Sequence, residues 1–265
     1  MTRPVRSGLA MTASGALTLV VLILGGVVSP TGRRFDRQLM LAWAYDDLVI
    51  GPVGVLVRSP LIMAAVVLLV VVALCRRRPD LGVAAVVIGA ASATTQILKR
   101  YVIAPLATDE NTMPSGHVTV VLSTSLAVVL VAGRKWRPAL SAAAGFLGAL
   151  TGIGAMIGTW HVPGDVVASA AVCLVWAGIV LVVLGPAARR FRRPPTTAWS
   201  TDPALQPRGL ALLGGLAAAG ALTAYRGWPD IPLGWLVASR VVGMLVALAV
   251  GGVVGWFVAG IDDVD

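Results

Sequence analysis

The stretch "DENTMPSGHVTVVLSTSLAVVL", residues 109–130, passes from a polar loop into an apolar run that meets no charge until Arg134. A span of a bilayer takes about 20 mostly apolar residues, so the run from Gly116 onward reads as a transmembrane helix. One of only two histidines in the chain stands at its mouth. The rest of the sequence has the same character. Of its 265 residues 57% are hydrophobic and 12% charged, where soluble domains carry roughly 25% charged residues. With a mean hydropathy of +0.88, the composition excludes a soluble globular domain and implies an integral membrane protein.

The formal charge of +9 sits in short clusters between apolar runs, the way membrane topology is written, and not in the long basic tract of a nucleic-acid binder. Cys75 and Cys173 both lie inside apolar runs and have no metal-ligand spacing, so they read as buried thiols. No cofactor or metal is expected. Of 21 basic residues only Lys99 and Lys135 are lysine, which with the richness in Ala, Val and Gly suggests a GC-rich bacterial genome.

Eight spans are expected, at 9–29, 59–75, 81–98, 116–133, 138–159, 165–186, 207–225 and 233–260, because backbone groups in lipid must be paired within the helix. The fold class is therefore all-α, a polytopic membrane helix bundle. The first span follows Arg3 and Arg6 as a secretory signal would, but no small-x-small cleavage site follows it, so it reads as a retained helix. The polar stretch 187–206 divides a six-helix core, 1–186, from a two-helix appendage, 207–265. Residues 35–48 suit a surface helix, and Trp43, Tyr45, Trp160 and Trp228 suit interfacial anchoring. Gly251 and Gly255 form a small-residue face for helix packing.

Thirteen Lys and Arg residues fall in loops on one side of the membrane and seven on the other. The richer side is expected to be cytoplasmic, with both termini there. His117, at the start of the fourth span, and His161, between the fifth and sixth, then share the extracytoplasmic face with Lys99 and Asp165. Asp165 follows His161 by four residues, close enough to fix its tautomer. Ser115 and Gly116 open a helix, where free N–H groups and the helix dipole favour an anion. Each feature alone has a plain structural reading: a capping carboxylate, an interfacial histidine, a Pro-Ser-Gly turn. Together they supply a nucleophilic imidazole, a second imidazole as general acid and an anion cradle, which is what metal-free cleavage of a phosphoester needs.

These residues resemble the signature of the type 2 phosphatidic acid phosphatase superfamily, which includes vanadium haloperoxidases and bacterial polyprenyl pyrophosphate phosphatases. That signature runs Lys-x6-Arg-Pro, then Pro-Ser-Gly-His, then Ser-Arg-x5-His-x3-Asp. Residues 114–117 match the second motif in full, His161 and Asp165 match the end of the third, and Lys99 matches the start of the first. The resemblance implies a six-helix core over about residues 30–186 and an outward-facing site. It implies that His161 attacks phosphorus, Asp165 orients it, His117 protonates the leaving group, and Lys99, Ser115 and Gly116 hold phosphate oxygens. The two signature arginines are absent: their positions fall on Leu106 and Ala155. Arg100, beside Lys99, and Arg240, about two turns into the last span, are the candidate replacements. The expected function is a lipid phosphatase of the bacterial cytoplasmic membrane, with a lipid phosphate as substrate, the bilayer as partner and no nucleic acid. The alternative is a weak or inactive relative that binds headgroups, or a partner or transporter in envelope-lipid metabolism.

Overall fold

Apolar helices of this length satisfy their own backbone and leave only their side-chain surfaces to be matched. The protein, described by a computed structural model over residues 2–41, 79–107, 113–132, 134–188, 206–225 and 233–262, solves that problem with eight α-helices among the described residues. They are α1 (Arg3–Leu22), α2 (Pro30–Leu41), α3 (Pro79–Ile97), α4 (Gly116–Val131), α5 (Arg137–Ile157), α6 (Pro163–Ala188), α7 (Pro207–Tyr225) and α8 (Leu233–Asp262). The expected span 59–75, residues 42–48 of the surface helix, Trp43, Tyr45, Trp228, Cys75 and linker residues 189–205 lie outside the described residues.

Four of the helical stretches are long and apolar enough to cross a membrane: Arg3–Val28, Arg134–Ile157, Pro163–Leu184 and Arg240–Ile261. The chain is thus an all-α, multi-pass membrane helix bundle. Prolines mark the starts, since a missing N–H costs nothing in a first turn: Pro4, Pro138 and Pro163 all stand there. Two helices widen at the same end of the bundle into π-helical turns, α1 at Ile23–Val28 and α3 at Leu98–Ile103. After the first of these the chain turns at Ser29, whose hydroxyl accepts a hydrogen bond from the Gly32 N–H, and α2 begins. That surface helix starts five residues before its expected position and buries no residue fully. Its Arg33 guanidinium donates to the Val27 carbonyl.

Helices in lipid gain little from hydrophobic association and depend on close packing and interhelical hydrogen bonds. Glycine makes the close packing here. The antiparallel pair α1 and α6 cross where a Cβ at Gly8 would lie 2.6 Å from the Gly178 carbonyl oxygen, and one at Gly178 2.5 Å from the Gly8 carbonyl oxygen. The expected small-residue face of α8 packs on α7: Gly251 faces the Ala211 carbonyl and Gly255 the Arg208 carbonyl, at 2.9 and 3.0 Å from a would-be Cβ. The last two helices share the buried core with the others. Ala211, Val250 and Phe257 pack with Leu122, Leu126 and Leu181, while Ala218, Leu222, Val242 and Val246 pack with Val118, Ile157 and Val166. Cys173 is buried and free, with its thiol directed to the Thr119 carbonyl.

The end of α5 carries backbone strain. Thr159 N–H bonds the Met156 carbonyl and Trp160 N–H the Ala155 carbonyl, the pattern of a Schellman cap. The residue such a cap holds left-handed is usually glycine, but here it is Thr159 at φ 55°. A β-branched residue is an outlier in that region.

Two outcomes are expected in thermal unfolding of the detergent-purified protein. Gly178→Val should destabilise by about 1–3 kcal/mol through overpacking, whereas Gly220→Val, whose Cβ meets nothing within 4 Å, should not. Equal effects of the two would contradict the close α1–α6 crossing. Thr159→Gly should stabilise by about 1 kcal/mol through relief of the left-handed strain.

Candidate active site

The Pro-Ser-Gly-His turn is held to α6 by its backbone. Ser115 N–H donates to the Asp165 carbonyl at 3.2 Å. The Ser169 hydroxyl lies 2.8 Å from both the Ser115 and the Asp165 carbonyl oxygens. Within α4, the Ser115 side chain is the N-cap, accepting from Val118 N–H at 3.4 Å, and the Thr119 hydroxyl donates back to the Ser115 carbonyl at 2.8 Å. Thr119 also meets Thr95 of α3 across 3.0 Å, hydroxyl to hydroxyl, so α3, α4 and α6 converge at this point. The cap engages an oxygen lone pair of Ser115 and not its hydroxyl hydrogen.

His161 leaves the strained end of α5 with its own N–H directed at the Ala155 carbonyl. It is buried, 6% exposed, and its Nδ1 lies 2.9 Å from Oδ2 of Asp165, itself 1% exposed in the first turn of α6. A carboxylate at that nitrogen holds the proton on Nδ1 and leaves the lone pair on Nε2. His117, one residue into α4, brings its ring to 5.9 Å from that of His161, centroid to centroid, edge on. Trp160, expected to be an interfacial anchor, packs its ring 5.8 Å from that of His117 and so helps to orient it.

The anion-binding candidates divide. Gly116 opens α4, with the Gln96 side-chain nitrogen 3.4 Å from where a Cβ would stand. Gln96 is one turn before Lys99 on α3, and sequence reasoning passed over it because nothing in its spacing distinguishes it. Lys99 is half-buried, and the Asp165 carboxylate acts on its ammonium. Arg100, its neighbour, is exposed. Arg240 is exposed on α8, six residues (about 9 Å of helix rise) nearer the site end than Val246, which packs with Val166 beneath the site. The structure therefore brings His117, His161, Asp165, Ser115 and Gly116 together with Lys99 beside them, and leaves Arg100 and Arg240 exposed near that end. At the arginine positions of the signature, Ala155 is 1% exposed with its carbonyl engaged by the helix cap, and Leu106 is exposed.

Asp36 is the acid that sequence reasoning missed. Projecting from α2, it places both carboxylate oxygens at 3.0 and 3.1 Å from the Gly164 N–H, in the first turn of α6. Burial pushes its carboxyl up to about 6, against the lowering effect of the Gly164 N–H, and the charge of Asp165 adds to the rise. No local signal marks it: the residue stands among arginines on a helix that reads as a plain surface helix. Among the described residues no group of three or more His, Cys, Asp or Glu side chains is placed to hold a metal ion.

No curated protein and no solved structure gives a significant match to this chain. A family model does match: that of the PAP2 superfamily, over residues 61–189. The matched segment contains Lys99, the 114–117 turn, His161 and Asp165, while Asp36 and Arg240 fall outside it. With the two histidines and the carboxylate assembled at one end of the bundle inside it, the matched segment, residues 61–189, belongs to the PAP2 superfamily, that of the type 2 phosphatidic acid phosphatases.

Proposed function

We propose that the protein hydrolyses a lipid phosphate or pyrophosphate at the extracytoplasmic face of a bacterial membrane, through a phosphohistidine on His161. The observation that carries this reading is the pairing of two imidazoles 5.9 Å apart, of which His161 is tied through Nδ1 to a buried carboxylate. The Nε2 lone pair of His161 attacks phosphorus, and the bond from phosphorus to the lipid oxygen breaks. Protonated His117 gives its proton to the departing oxygen. Water then attacks the phosphohistidine, His117 takes the water's proton, and inorganic phosphate leaves with His161 restored. Asp165 stabilises the imidazolium character that His161 acquires. Lys99, the Ser115 hydroxyl and the Gly116 N–H hold the phosphate oxygens.

The excess of basic residues in the loops of the opposite side supports the outward orientation. Polyprenyl phosphates and pyrophosphates, phosphatidic acid and phosphatidylglycerol phosphate are the candidate substrates, since each carries its phosphate at the depth of a membrane interface. With alanine and leucine at the signature's arginine positions, turnover is slow: one donor of that type is worth about 10²–10³ in rate.

The purified protein is expected to release phosphate from at least one member of a panel of these lipids, and His161→Ala to release none. Equal release by both proteins would sink the proposal. Lipid phosphate that binds but is never cleaved would instead identify a headgroup-binding relative. His117→Ala should slow release by about 10²–10⁴-fold and Lys99→Ala by about 10²–10³-fold. Arg240→Ala separates a phosphate donor from a side chain that only reaches the headgroups: an unchanged KM and rate would assign it to the headgroups.

A further inference from the structure

The mechanism above leaves Asp36 without a task, although it is placed beside the reacting groups by an element outside the family-matched segment. We propose that Asp36 is a specificity-determining residue: its carboxylate, carried by α2 onto the first turn of α6, makes the site discriminate against doubly charged phosphate in favour of the singly charged form. The inference rests on the phosphatase reading and deepens it by naming the charge state of the substrate.

The geometry comes first. Gly164, which the carboxylate grips with both oxygens, lies between His161 and Asp165, and those two residues form the buried pair. A Cβ at Gly164 would collide with the Asp36 carboxylate, so glycine at that position admits the acid. The balance of charge follows. Acting on Asp36 from α6 is Asp165, to which His161 is bonded from the segment just before. The π-helical turn Ile23–Val28 packs against α2 and carries no ionisable residue. From α5 the sole ionisable residue is Arg137, at the opposite end of that helix. From α8 it is Arg240, exposed, with Asp262 at the far terminus. On α2 itself stand Arg33, committed to the Val27 carbonyl, and the exposed Arg34 and Arg37. Two carboxylates thus share the site with one half-buried lysine, at a place where the signature would supply two arginines.

The chemistry follows from that balance. A phosphate monoester loses its second proton near pH 6, and burial places the Asp36 carboxyl in the same range, at about 6. Below that pH Asp36 is neutral and the phosphate is a monoanion. As pH rises through about 6 both become more negative, and a carboxylate then faces a dianion in a site that water screens poorly. A unit charge acting at about 10 Å through an effective dielectric near 20 changes affinity by roughly tenfold. Asp36→Asn removes the charge and keeps an oxygen to accept the Gly164 N–H, so it isolates the electrostatic effect from the α2–α6 contact.

The test measures binding of inorganic phosphate and the KM for a lipid phosphate monoester, at pH 5 and pH 7.5, for the detergent-purified wild type and Asp36→Asn. The two proteins should match at pH 5. At pH 7.5 the variant should bind phosphate about tenfold tighter and show a KM lower by a similar factor. A purely structural Asp36 would produce no gain at any pH. Asp36→Ser, read the same way, serves if the asparagine variant does not fold. Equal affinities at pH 7.5, or weaker binding by the variant, overturn the inference while wild-type phosphate release leaves the phosphatase reading standing. A wild type that neither binds nor releases phosphate removes both.

Discussion

The site depends on the backbone bonds that fasten the start of α4 to the start of α6. Ser115 N–H reaches the Asp165 carbonyl, and Ser169 reaches back to the Ser115 carbonyl from one turn further along α6. Those contacts join positions about fifty residues apart. They act at the two helix N-termini, where N–H groups such as that of Ser115 lack intrahelical partners and must find others. Everything chemical follows from that junction. His117 is two residues beyond the first partner, His161 four residues before the second, and their rings meet because the two turns are clamped. The same clamp places the Gly116 N–H and the Lys99 ammonium on the same side as the buried pair.

Within the membrane such a clamp is effective for a physical reason. Apolar surface gives little preference for one helix arrangement over another when lipid is equally apolar, so specificity comes from close contacts and polar bonds. Glycine crossings at Gly8 and Gly178 let backbones approach, and hydroxyl bonds such as that between Thr95 and Thr119 select the register. The functional end of the bundle is where these bonds gather and also where the backbone is least regular: two π-helical turns, the left-handed Thr159 and the Schellman cap lie there. Irregular backbone at a site formed by helix ends is what positions side chains that regular helices would point elsewhere.

Much of this was legible in order along the chain. The apolar runs announced the described apolar helices to within about two residues, except that α1 begins six residues early, and four of them reach the length and apolarity of a crossing. The length of a bilayer crossing and the cost of charge in lipid act on each segment separately. His161 and Asp165 were readable as a pair because four residues is the reach of one helical turn. The 114–117 turn was readable as an anion cradle because a helix N-terminus has that property wherever it occurs. Asp36, Gln96 and the stacking of Trp160 on His117 were not readable. Each lies far in sequence from the group it serves, and none has a spacing that marks it. The arginine question has the same origin: a residue that replaces a missing donor can come from any helix, and Arg240 became a candidate from its place near the outer end of a span.

By itself the sequence determined that the chain is a bundle of membrane helices, that one histidine opens a helix while the other lies in a short loop between two, and that Asp165 stands one helical turn from His161. Local length, hydropathy and helical spacing are enough for those conclusions. Only the tertiary structure decided that the two imidazoles meet, that Lys99 is turned inward while Arg100 is not, and that a surface helix delivers a second carboxylate to the first turn of α6. These are contacts between segments tens to more than a hundred residues apart, set by which helix faces pack together, and no local pattern encodes that choice.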